Sequence, residues 1–142
     1  NDISETLQSG WNVIFQILTE CTIGFRQKGY SLLKPIIEKH LKSLSTSQIS
    51  HLTTVLTFFI LKGNEEDIIL DSFNQLKYIS QHILTLKDSI ETTQLWDCFF
   101  ASLQQCKRHS NKKVQKLTCE TINEILQNEK IPKQVQDKIP KE

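Results

Sequence analysis

Glycine and proline are scarce in this chain, with four and three residues in 142. A β-sandwich or barrel needs a turn every ten residues or so, and so few punctuators cannot supply them. Valine is scarce too, while Leu, Ile, Lys, Gln, Glu and Ser dominate, a balance that favours helix over sheet. No stretch approaches the run of about 18 to 20 uncharged apolar residues that a membrane span needs. The longest apolar run is Phe58-Phe59-Ile60-Leu61. No basic region followed by an apolar core stands at the N-terminus, so nothing resembles a secretory signal. The chain opens on Asn1 rather than on methionine, which leads us to expect a piece of something longer.

Cysteine is present four times (Cys21, Cys98, Cys106, Cys119) but never as a CxxC pair. The even number permits two disulfides. Each cysteine lies in a mainly apolar helical context, however, where it behaves as a small hydrophobe, and reduced thiols are the expectation.

What the sequence does have is helical periodicity. Trp11, Ile14, Phe15, Leu18 and Cys21 recur at the spacing that places side chains on one helical face, predicting a first helix over about 3–22. A second, over about 26–43, carries Tyr30, Leu33, Ile36, Ile37 and Leu41, with Pro35 inside it predicting a kink or a late start. Hydroxyls at Ser45-Thr46-Ser47 can cap a third, which holds Leu52, Val55, Leu56 and Phe59 until Gly63-Asn64 stops it. Glu65, Glu66 and Asp67 complement the dipole of a fourth, over about 65–84, lined by Ile69, Phe73, Leu76 and Ile79. After the polar stretch Lys87 to Thr93 comes a fifth, over about 93–108, with Trp96, Phe99, Phe100 and Leu103. A sixth starts near Asn111 and runs to Leu126. The tail 128–142, with Pro132 and Pro140, has little to bury and reads as a linker or the start of a further repeat.

The even helices superimpose. Gly29-Tyr30, Ser72-Phe73 and Thr118-Cys119 are equivalent at offsets of 43 and 46 residues, followed by Leu33, Leu76, Ile122 and by Ile36, Ile79, Ile125. A helix pair repeating every 40 to 47 residues is the period of HEAT or armadillo repeats. A lone hairpin cannot bury its apolar face, whereas stacked hairpins share a core. The expected fold is therefore all-α: a HEAT/armadillo-like stack of three antiparallel helical hairpins over residues 1–127. An ordinary helical bundle with coincidental spacing is the rival. Trp11, Phe15, Tyr30, Phe73 and Trp96 are its expected packing anchors, and a small residue ahead of each even-helix aromatic or thiol lets neighbours approach closely. Ile3, Leu7, Ile131 and Val135 are expected to touch adjoining repeats.

Chemistry is harder to find. There is no GxSxG, HExxH or GxxxxGK[ST], so no catalytic residue, cofactor or enzymatic activity is expected. Cys106-x2-His109 is the one tight Cys/His pair, with Cys119 in the next helix; its expected role is structural, since metal binding needs several converging ligands. His40, His51 and His82 sit on or near polar faces. Charge is more informative. Residues 1–106 carry 8 basic and 11 acidic side chains, a net of −3, and residues 107–142 carry 9 and 5, a net of +4. Lys107, Arg108, Lys112, Lys113 and Lys116 gather at one interhelix tip and are the candidate contact surface, for anionic lipid headgroups or an acidic helix of a protein. Nucleic acid is not expected, because no aromatic interleaves the charges.

The stretch SGWNVIFQIL (Ser9, Gly10, Trp11, Ile14, Phe15), followed by a helix pair, resembles the helical region downstream of the catalytic domain in large Arf guanine-nucleotide exchange factors of BIG and GBF type. The later stretch LWDCFFASLQQCKRHSNKKVQKLTCETINEIL is similar to that family's next repeat. Leu95, Trp96, Val114 and Ile122 fit it, and Gln115 stands where arginine is usual. The apolar–small–aromatic helix starts at Gly29-Tyr30 and Ser72-Phe73 are closest to the non-catalytic Mon-type Golgi scaffold branch. The resemblance covers most of residues 7–127. It implies a non-catalytic scaffold segment, cytosolic and peripheral on Golgi or endosomal membranes. Its implied partners are other large trafficking proteins, Arf-type GTPases, adjoining repeats and, in the alternative reading, anionic phospholipids.

Overall fold

The computed structural model describes residue 5 and residues 8–137. Among these, all regular structure is helical. Six principal helices follow one another: α1 (Trp11–Cys21), α2 (Arg26–His40), α3 (Thr46–Leu61), α4 (Glu66–Ile83), α5 (Ile90–Cys106) and α6 (Lys112–Leu126). A 3-10 turn, Leu41–Ser43, extends α2, and a short α7 (Lys133–Gln136) closes the described chain.

Each helix pairs with the next as an antiparallel hairpin: α1 with α2, α3 with α4, α5 with α6. The hairpins stack side by side, so that α1, α3 and α5 form one layer and α2, α4 and α6 the other. One continuous core runs between the layers, from Trp11 and Leu18 through Leu33, Leu56, Phe59, Phe73 and Leu76 to Trp96, Phe99 and Ile122. Trp11, Tyr30, Phe73 and Trp96 are all buried. Phe15 is half-buried, its ring stacked 4.3 Å from that of His51 in α3. The hairpin stack and its anchors are thus those the periodicity predicts.

Polar contacts between hairpins follow the same repeat. Trp11 Nε1 donates to His51 Nδ1 (2.9 Å) and Gln8 Nε2 to Gln48 Oε1 (3.1 Å) in one layer. In the other, the Tyr30 hydroxyl donates to Asp71 (2.6 Å), Lys34 pairs with the same carboxylate (3.2 Å), and Gln75 Nε2 donates to Glu38 (3.0 Å). Lys77 repeats the arrangement with Glu124, one hairpin further on. Burial and the Asp71 carboxylate push the Tyr30 hydroxyl well above the ordinary phenol range, so it stays a proton donor at any physiological pH.

The helix ends show where local chemistry acted. Ser45 heads α3 with a capping box: its hydroxyl accepts from Gln48 N–H while its own N–H donates to Gln48 Oε1. Asn111 caps α6 through Lys113 N–H. Gly10 breaks the helical path of residues 8–9 at φ −103°, ψ 14°, and α1 restarts at Trp11.

Three expectations need correction. Helix α5 starts at Ile90 rather than near 93, because Ser89 caps it by accepting from Thr92 N–H. Pro35 does not delay α2, which begins at Arg26 and runs through it; Ser31, whose carbonyl loses its helical donor, is exposed, so water can take that place. The tail has more to bury than expected. Ile131 and Val135 are in the core, with α7 packed on α5, and so face their own chain rather than a neighbouring repeat. Ile3, Leu7 and Pro140 lie outside the described residues.

One close approach does need glycine. A Cβ built on Gly29 of α2 would overlap the Cβ of Cys21 in α1 and crowd its sulfur. Gly29→Ala is therefore expected to destabilise the chain by about 1–3 kcal/mol despite alanine's better helix propensity. Urea unfolding checks this. Adding Cys21→Ala should not restore stability, since the clashing atom remains; a full recovery would refute the close approach.

Candidate interaction surface

The basic group sits at the tip of the third hairpin. Helix α5 ends at Cys106, and Lys107 follows as its C-cap, its N–H bonded to the Gln104 carbonyl while the Arg108 N–H bonds that of Gln105. Lys107 and Arg108 thereby lie at the negative end of the α5 dipole. The connection to α6 is held by side chains: His109 Nδ1 accepts from Asn111 N–H (2.9 Å), and Gln115 Nε2 donates to the His109 carbonyl (2.6 Å). Lys112 and Lys113 occupy the first turn of α6, at the positive end of its dipole, where local electrostatics oppose them. Arg108, Lys112, Lys113 and Lys116 are exposed and Lys107 is half-buried. Lys113 reaches Glu66 of α4 at 3.5 Å, but both side chains are solvated, and such a pair contributes little. Among the described residues Arg108, Lys112 and Lys116 hold no ion pair. The structure thus brings the five basic residues to one end of the molecule, as the sequence spacing implies.

A cleft of about 210 Å³ adjoins this tip, where the α3–α4 loop meets the start of α6. Its floor is apolar, from Ile69, Leu70 and Val114, and its rim carries Lys113, Glu66 and His109. At the far end of the even layer a larger hollow of about 420 Å³ lies between Glu38, Lys42, Tyr78 and His82. The Nε2 of His82 is buried there without a partner, and burial together with nearby Lys42 lowers its pKa.

Cys106 is not a ready nucleophile. Cys106 is buried, its thiol directed at the Ser102 carbonyl, and burial pushes it up to about 12; such a thiol is inert at neutral pH. It points into the core and does not join His109. Among the described residues no three His, Cys, Asp or Glu side chains converge as a metal site would require. All four cysteines are free thiols.

Sequence reasoning missed the most heavily bonded side chain in the fold. Arg26, at the start of α2, is buried and forks across three elements. Its Nε bonds both oxygens of Glu65 (2.9 and 3.0 Å), and its terminal nitrogens donate to the carbonyls of Thr22 and Phe59. Its guanidinium also lies over the Phe59 ring, 5.2 Å from the centroid. Gly63 makes room for it, because a Cβ there would overlap both the guanidinium and the Glu65 carboxylate. His51 was missed as well. The Trp11 and Phe15 contacts already described make it a bridge between the first two hairpins, not an idle polar-face residue.

A third feature is the outer side of the first hairpin. Val13, Ile17, Ile23, Phe25 and Leu32 are all large, apolar and exposed. Phe25 is held at φ 55°, in the left-handed region that non-glycine residues seldom adopt. The signal available in sequence was that α1 is apolar everywhere except the Asn12, Gln16, Thr19, Glu20 stripe, a wider apolar arc than a helix packed on one side only needs.

Set against known proteins, the chain matches no protein-family model, no curated protein and no solved structure. Among the described residues no helix is long and apolar enough to cross a membrane.

Proposed function

We propose that this chain is a non-catalytic helical-repeat scaffold segment of a large trafficking protein on Golgi or endosomal membranes, related to the Arf exchange factors. Its work is to present side chains on a rigid curved stack to protein partners, Arf-type GTPases and other large trafficking proteins among them, and to adjoining repeats. The observation that carries the reading is the register of the stack. Trp11 and Trp96, the residues on which the resemblance rests, both sit in one core shared by consecutive hairpins.

Immobilised chain incubated with a Golgi-enriched lysate tests this. Enrichment of Arf-type GTPases or large Golgi scaffolds over a charge-matched helical control is the expected result. Enrichment confined to proteins of another compartment would refute the trafficking assignment.

A second reading has its own observation: the unpaired Arg108, Lys112 and Lys116 favour contact with anionic lipid headgroups. Flotation with vesicles containing about a fifth phosphatidylserine should then recover the chain at physiological salt. Lys112→Glu, Lys113→Glu and Lys116→Glu together should reduce recovery by roughly tenfold or more. Equal flotation with neutral vesicles, or no loss in the triple variant, would remove this reading.

A further inference from the structure

The two ends of the stack differ in chemistry, and the difference follows from helix geometry. In α1, Trp11 and Phe15 meet His51 of the second hairpin. Two residues on from each, about 200° round the helix, stand Val13 and Ile17. In α2, Tyr30 and Lys34 meet Asp71 of the second hairpin. Two residues on from each stand Leu32 and Ile36. Val13, Ile17 and Leu32 are therefore exposed on the side of the first hairpin that faces away from the second, and Ile36 at its edge is half-buried against the core; all four are apolar.

At positions equivalent to Leu32 the rest of the fold is closed. Leu32 is 58% exposed, whereas Gln75, 43 residues later, is 5% exposed and Thr121, 46 later again, is 4%. The preceding hairpin covers Gln75, whose amide donates to Glu38 of α2. The other end of the stack has no such face. The residues of α6 equivalent to Tyr30, Lys34 and Glu38 are Cys119, Asn123 and Gln127, the last two exposed and polar. Ile131 and Val135 carry the following segment onto α5. Among the described residues, α7 packs on α5 at the far end of the stack, whereas Val13, Ile17 and Leu32 of the first hairpin stay exposed.

We infer that the Val13, Ile17, Leu32 and Ile36 face is an interface for one further antiparallel helical hairpin, stacked on the first hairpin as the first is stacked on the second. Charge specifies the newcomer further. Where α4 presents Asp71 to Tyr30 and Lys34, the equivalent residue of α2 is Lys28, which is exposed. The incoming hairpin therefore brings a carboxylate to that point instead of a hydroxyl and an ammonium group. The exposed Ile23 and Phe25 at the α1–α2 turn extend the apolar area it covers. This deepens the scaffold reading and rests on its hairpin stacking alone, not on the membrane or on Arf-type partners.

The test places a second copy of residues 8–44, carrying Lys34→Glu, ahead of Gln8 of the full chain, joined by a short flexible linker. The copy offers Trp11, Phe15 and Tyr30 to the native outer face and a carboxylate to Lys28. The extended protein should unfold in urea as a single transition. Its folding constant should rise by about a hundredfold over the original chain, the equivalent of burying one or two large apolar side chains. Ile17→Asp with Leu32→Asp in the native hairpin should abolish that rise while leaving the original chain's midpoint unchanged, since both side chains are solvated there. Separate melting of the added hairpin, no rise, or a rise that survives the double substitution would overturn the inference. So would a dimer of the original chain in sedimentation that the double substitution splits, because a second copy would then be the occupant. Failure of the lysate capture would leave this result untouched, and the converse holds.

Discussion

Replacing Arg26 by alanine is expected to cost about 3–5 kcal/mol of folding free energy, the range for removing one partner of a buried, hydrogen-bonded charge pair. The geometry explains why so much hangs on one side chain. Helices α1 and α3 end at Cys21 and Leu61, and their last carbonyls have no donor within the helix. Arg26 donates to one carbonyl at each of these ends, those of Thr22 and Phe59, while its Nε holds Glu65. One guanidinium thus ties the α1–α2 turn to the α3–α4 turn across the seam between two hairpins. Alanine would leave two carbonyls and a carboxylate without it and open a void beside Phe59 and Gly63. Arg26→Lys should recover only part of the loss, because a point ammonium cannot fork to three acceptors. Glu65→Gln should cost less than either, since that carboxylate is about a third exposed and water can replace part of what it loses. Urea midpoints measured at constant slope rank the three variants. If Arg26→Ala falls within 1 kcal/mol of the parent, the clamp is ornamental.

The clamp also marks where the sequence stopped being readable. Hairpin number, pairing and core face were legible because apolar side chains repeat at 3.6 within helices and at about 43 between them. The buried Leu33, Phe73, Leu76, Ile79, Ile122 and Ile125 follow from that register. Arg26 was not legible: a lone basic residue at a helix start has the same local context as any solvated arginine. Its partners, Thr22, Phe59 and Glu65, become neighbours only when two hairpins stack. His51 is a similar case, since its polar flanks at Ser50 and in the Ser45–Gln48 cap disguise a ring that Phe15 covers. The α5 start was misplaced because Ser89 reads equally as loop and as cap, and the cap is decided only by where Thr92 N–H points. The tail's burial was missed because Ile131 and Val135 are too few to set a period. The basic tip, by contrast, needed only proximity in sequence, and the fold left it where the sequence put it.

The outer face of the first hairpin teaches the same point from the other side. Val13 and Ile17 belong to an α1 whose apolar arc is wider than its inward stripe, and a reading that looks only for that stripe assigns them no role. Their meaning comes with their neighbour Leu32, whose equivalents Gln75 and Thr121 are buried in the interior of the stack.

Trp96→Ala is the other large effect, expected at about 3–5 kcal/mol, the range for deleting a buried aromatic. The ring is 1% exposed, stacked 5.6 Å from Phe100 and edge-on to Phe99 at 5.8 Å, while Phe99 and Phe100 are themselves edge-on to each other. Removing one member of this trio takes away its own burial and the ring contacts of the other two. Neighbours cannot slide in to fill the space without breaking the stagger of α5 against α3, the most closely packed pair of helices in the fold. For a domain whose total stability falls in the usual range of about 5–15 kcal/mol, that is a third or more of the whole. Trp11→Ala should cost distinctly less. Trp11 stands at the first turn of α1, and its partner His51 keeps its stack on Phe15 when the indole is gone. The single-tryptophan variants Trp96→Phe and Trp11→Phe separate the two sites by fluorescence during unfolding. In the hairpin stack both probes should report one transition, because the core that holds them is continuous. Two separated transitions, or a Trp96→Ala variant as stable as Trp11→Ala, would mean that the third hairpin folds apart from the first two.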